Sequence, residues 1–73
     1  MNGYKTATVT SGDKAVEISL TLRGDWDSNG VSREDYNLVV NMRGFETALS
    51  RAIDSNDGVG VSKNGLVTVT AHK

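Results

Sequence analysis

Two runs of alternating residues on either side of Gly12-Asp13 constrain this chain more than any other feature. Residues 4–10 (Tyr-Lys-Thr-Ala-Thr-Val-Thr) and 15–22 (Ala-Val-Glu-Ile-Ser-Leu-Thr-Leu) are rich in β-branched side chains. Both repeat with period two, the pattern of half-buried strands. In the second run Val16, Ile18, Leu20 and Leu22 share one face, and Glu17, Ser19 and Thr21 share the other. A two-residue Gly12-Asp13 turn, with glycine supplying the positive φ of a primed turn, sets Ser11 opposite Lys14, Val9 opposite Val16 and Ala7 opposite Ile18. Both apolar sets then fall on one face, whereas a slip of one residue would separate them.

A second hairpin is expected near the C-terminus, where residues 59–62 and 66–71 flank Lys63-Asn64-Gly65. A two-residue Asn-Gly turn would pair Val61 with Thr68 and put Val59 and Val61 on the face opposite Val67 and Val69. A three-residue loop, with Gly65 left-handed in a G1 bulge, pairs Val61 with Val67 and Val59 with Val69 instead. The three-residue loop is therefore the expectation.

Between the hairpins the spacing predicts an amphipathic helix. Ser32-Arg33-Glu34-Asp35 resembles a capping box with Ser32 as N-cap, Asp standing where Glu or Gln is usual, and the acids suit the helix dipole. Leu38, Met42, Phe45, Leu49 and Ala52/Ile53 form one apolar stripe, and Arg43, Thr47 and Arg51 form a polar row at i, i+4 on the other side. Gly44 weakens such a helix by about 1 kcal/mol relative to Ala. Residues 36–41 also carry strand character, which leaves open a helix starting as late as Arg43. Asp54-Ser55-Asn56-Asp57-Gly58 ends it by turn chemistry.

These elements predict a single α+β domain over residues 1–73. Its outline is ββ-α-ββ, an antiparallel sheet of two hairpins with one helix packed on one face. The covered face carries Ala7, Val9, Val16, Ile18, Leu20, Val59, Val61, Val67 and Val69. The uncovered face carries Thr6, Thr8, Thr10, Glu17, Ser19, Thr21, Ser62, Leu66, Thr68, Thr70 and His72. No Pro, repeat or linker composition marks a boundary.

Composition excludes several classes of function. With 73 residues, no Cys and one His, neither disulfides nor a Cys/His zinc cluster can support the fold. The lack of disulfides in so small a domain favours the cytoplasm. Met1-Asn2-Gly3-Tyr4-Lys5-Thr6 has neither the basic nor the apolar region of a signal peptide. No apolar run approaches the roughly 18 residues of a membrane span. A net charge of −1, from 8 basic and 9 acidic residues, supplies no field for nucleic acid or an anionic membrane.

The most motif-like stretch is Asp25-Trp26-Asp27-Ser28-Asn29-Gly30, which looks like the opening of an EF-hand or dockerin calcium loop. The second half departs from that pattern: Tyr36 stands where a bidentate acid is needed, and Arg33 where a ligand or water belongs. A polar turn leading into a capped helix accounts for the stretch better, so no metal or other cofactor is expected. Arg23-Gly24-Asp25 is a chance match to an adhesion tripeptide. Trp26 either caps the end of the small core or serves as a binding anchor, and four aromatic residues in the whole chain favour the cap.

No nucleophile, base or phosphate-cradling glycine loop is recognisable, so no enzymatic activity is expected. The expected role is a small protein-binding accessory or regulatory module, with a homodimer as one form of it. A viral (phage) or mobile-element source is consistent with its size and lack of motifs. Recognition is expected at Trp26, Asp25, Asp27 and Arg23 on the loop, with the Arg43/Thr47/Arg51 helix row as the alternative site. Nucleic-acid binding is the alternative class, disfavoured because each arginine has an acid three residues on, Glu46 and Asp54. Assembly through exposed strand edges is the third.

Overall fold

In the computed structural model, which describes residues 3–21 and 25–73, the alternating segments form β1 (Thr6–Ser11) and β2 (Lys14–Leu20). They pair antiparallel, with Ser11 opposite Lys14, Val9 opposite Val16 and Ala7 opposite Ile18. Gly12 has the positive φ that the turn requires, +62°. A two-residue strand, β3 (Trp26–Asp27), extends the sheet beyond β2, with Leu20 opposite Trp26. Helices α1 (Arg33–Val40) and α2 (Phe45–Asp54) follow, then β4 (Val59–Val61) and β5 (Thr68–His72). Strand β5 pairs antiparallel with both β1 and β4, giving the sheet order β3-β2-β1-β5-β4.

The chain is thus α+β, and its described residues form a five-stranded antiparallel sheet and two helices. The ββ-α-ββ outline needs correcting in two places, because β3 is added and the helix is broken. Ser32 does cap α1, its Oγ accepting from the Asp35 backbone N–H at 3.1 Å. Residues 36–40 are helical, not strand. The chain then turns through Asn41–Gly44 before helix resumes. Gly44 is left-handed at φ +92°, and a Cβ there would come within 2.6 Å of the Ser62 Cβ. Glycine therefore separates two helices where propensity alone marks it as a weak point in one.

That break redistributes the apolar stripe. Val39, Phe45, Ala48, Leu49 and Ala52 are buried, while Leu38, Met42 and Ile53 pack partly against the core. Arg43 lies between the helices, so Arg43, Thr47 and Arg51 do not form a row on one helix face. Together with Ala7, Val9, Val16, Ile18, Val67 and Val69, the helical residues make one continuous core. Full burial of each larger aliphatic side chain stabilises the fold by about 1.5–3 kcal/mol before entropy is counted.

The C-terminal hairpin departs further from expectation. Val61 lies opposite Thr68, Gly60 opposite Val69 and Val59 opposite Thr70. The loop spans four residues, Lys63–Leu66, closed by Ser62 N–H donating to the Val67 carbonyl at 2.9 Å. Inside it Gly65 N–H donates to the Ser62 carbonyl, Leu66 N–H to Asn64 Oδ1 and Val67 N–H to Ser62 Oγ. Val59 and Val61 consequently leave the covered face, 43% and 40% exposed, and Gly58, Gly60 and Ser62 are buried. The reason is a close approach of α2. A Cβ on Gly60 would lie 2.1 Å from the Ala48 carbonyl oxygen and 2.3 Å from the Ala52 nitrogen. Only glycine at the inward position of β4 lets the helix backbone rest on the strand.

Candidate functional site

Thr21 and Asp25 are tied to each other: Thr21 N–H donates to the Asp25 carbonyl at 2.7 Å, and Asp25 N–H donates to Thr21 Oγ1 at 3.2 Å. This places Trp26 across from Leu20, on the core side of the sheet. Gly44 in turn delivers Phe45 as the first residue of α2. The indole meets the Phe45 ring edge-on, centroids 5.6 Å apart at 85°, and the Tyr36 ring of α1 at 5.5 Å. Edge-on aromatic pairs of this kind add about 0.5–1.5 kcal/mol beyond burial. Trp26 closes one end of the core while remaining half-buried, so part of its ring stays accessible.

Clefts flank the indole. The larger, about 500 Å³, lies between Asp25 and Trp26 of the β3 segment and the Phe45, Glu46, Leu49, Ser50, Ile53 and Asp54 side of α2. Its floor is aromatic and aliphatic, and Asp25, Glu46 and Asp54 bring three carboxylates to it with no basic side chain among the described lining residues. A smaller cleft, about 340 Å³, runs past Trp26 between Met42, Val40 and Thr47. Glu46 and Phe45 border both. A third, about 420 Å³, separates the β1–β2 turn from α1 at Lys14, Glu34, Leu38 and Met42.

The residues expected to act together are distributed as follows. Asp25 and Trp26 line one cleft. Asp27 pairs across from Ser19 and accepts from Asn29 N–H at 2.9 Å, as the start of a local turn. Arg23 lies outside the described residues. Thr47 borders the smaller cleft, and Arg51 Nη1 donates to the Val61 carbonyl at 2.9 Å along the edge strand β4. The calcium-like stretch forms a turn, with Val31 N–H donating to the Ser28 carbonyl at 3.2 Å. Sequence reasoning missed Glu46, Ser50 and Asp54. A signal was present, because this i, i+4, i+8 row adjoins the apolar row Phe45, Leu49, Ile53, but nothing local places Trp26 opposite it.

The other sheet face is regular. Glu17, Thr8, Thr70 and Val59 form one cross-strand row, and Ala15, Thr10, Thr68 and Val61 the next. Thr8 Oγ1 and His72 Nε2 are hydrogen-bonded at 3.1 Å. Ser62, expected on this face, is buried on the other. Comparison with protein-family models, curated proteins and solved structures finds no match to this chain.

Proposed function

We propose that this chain is a non-enzymatic accessory or regulatory module that binds another protein through the Trp26 end of its fold. The observation that carries this reading is the partly buried indole braced by Phe45 and Tyr36 between two clefts. A rigid aromatic anchor loses little conformational entropy on binding, and such anchors dominate interface energetics. Nucleic-acid binding has less support, since the larger cleft is acidic and Arg51 is engaged by the Val61 carbonyl. A cytoplasmic setting fits a cysteine-free domain, and among the described residues no helix is long and apolar enough to cross a membrane.

A second reading, self-association through the outer sheet face, is favoured by Val59, Val61 and Leu66 standing exposed beside threonine-rich rows. One experiment separates the two. Nuclease-treated lysate is passed over the immobilised wild-type domain, Ser50→Tyr, which fills the larger cleft from an exposed helix position, and Val59→Lys on the outer face. Loss of the captured protein with Ser50→Tyr alone supports the cleft. Loss with Val59→Lys alone, accompanied by a halved molar mass in light scattering, moves the site to the sheet.

A further inference from the structure

We infer that the larger Trp26 cleft selects a basic amphipathic segment of its protein partner, apolar side chains lying on the partly exposed Trp26 and Ile53 while Lys or Arg side chains reach Asp25, Glu46 and Asp54. This rests on the protein-binding reading and adds the chemistry of the partner. The argument is one of complementarity. The cleft joins the partly exposed Trp26 and Ile53 to a rim of three carboxylates drawn from two separate elements, β3 with its preceding residue and α2. Glu46 and Asp54 sit two helical turns apart along α2, so a partner must present cations at comparable spacing. An anionic partner would set its charge against all three carboxylates, and a neutral one would desolvate them without return.

Trp26 adds to the selection, since the electron-rich face of an indole attracts an ammonium or guanidinium group. Phosphate-rich ligands and anionic membrane surfaces are disfavoured here for the same reason that a basic helix is favoured. Val59, Val61 and Leu66, the exposed apolar positions of the C-terminal hairpin, are not among the residues lining this cleft.

The test uses the intact domain and tryptophan-free helical peptides of leucine and lysine, with a matched peptide in which glutamate replaces every lysine. Binding is followed by Trp26 fluorescence and calorimetry at two salt concentrations. The lysine peptide is expected to bind saturably, more weakly at high salt, and the glutamate peptide not to bind. Glu46→Gln with Asp54→Asn is expected to weaken the lysine peptide about tenfold, each exposed pair being worth up to about fivefold. Glu17→Gln, on the opposite face, should leave affinity unchanged. Equal binding of the two peptides, an unaltered affinity in the Glu46/Asp54 variant, or an equal loss in Glu17→Gln would each overturn the inference. Melting curves of all variants establish that they remain folded. If Ser50→Tyr still abolishes capture of the partner from lysate while the charge variants bind normally, only the cationic preference fails. If Ser50→Tyr has no effect on either ligand, the cleft reading fails with it.

Discussion

The N-terminal hairpin and the C-terminal hairpin look alike as alternating strands and are built on different physics. In β1 and β2 the inward positions are Ala7, Val9, Val16 and Ile18, all buried, and side-chain volume holds the helical layer off the sheet. In β4 the inward position is Gly60, and α2 comes down onto the strand backbone itself. The first arrangement tolerates small changes of volume by rotamer adjustment. The second has no side chain to adjust, so its tolerance is set by two backbones.

That contrast is broken most severely at Gly60. Gly60→Val is expected to cost more than about 3 kcal/mol, because the added Cβ meets backbone atoms that no rotamer can move aside. For a domain this small the expected outcome is a chain largely unfolded at room temperature by circular dichroism. A cooperative melt within a few degrees of wild type would show that α2 can lift from the strand.

Gly44 sharpens the comparison at the other place where glycine meets tertiary structure. Gly44→Ala is expected to destabilise by about 2 kcal/mol, from the left-handed backbone and from crowding against Ser62. Denaturant unfolding measures it. A stabilised variant would mean that α1 and α2 merge readily into the single helix suggested by propensity.

The two hairpins separate again under conservative changes. Ile18→Val should cost about 1 kcal/mol, as expected for deleting one buried methylene. Val61→Thr should stay within about 0.5 kcal/mol, because that side chain faces outward. Equal effects in chemical denaturation would contradict the inverted orientation of β4.

The smallest effect concerns how β4 begins. Asp57 Oδ1 accepts from Ser55 Oγ and from Val59 N–H, and these bonds hold its carboxyl below the ordinary value of 3.8. A lowered folded-state pKa contributes stability that is present above the unfolded value and is lost as pH falls through the folded one. Thermal melts from neutral pH to pH 2 should therefore drop more in the wild type than in Asp57→Asn over the acidic end. Parallel curves would remove Asp57 from the account.

Much of the candidate site was legible only in fragments. Trp26 and Asp25 stood out as an aromatic and an acid in a polar loop, and both line the cleft. Adjacency in sequence groups Asp27 with them, but in the fold it pairs across from Ser19 and accepts from Asn29 N–H. A helical period groups Arg43, Thr47 and Arg51, and the Gly44 break interrupts it. Glu46, Ser50 and Asp54 enter the site because β3 brings Trp26 beside α2, a contact between segments about 20 residues apart in sequence that no local pattern encodes.

The sequence by itself determined the α+β class, the β1–β2 register and the Ser32 cap, since each rests on interactions among near neighbours. It also contained the glycines at 44 and 60, without indicating what they meet. The tertiary structure decided which face of β4 is inward, where the helix breaks and which acids gather at Trp26. Alternation specifies that two faces exist, but which one is buried depends on what packs there. At β4 the close approach of α2 makes glycine the inward residue and turns the valines out.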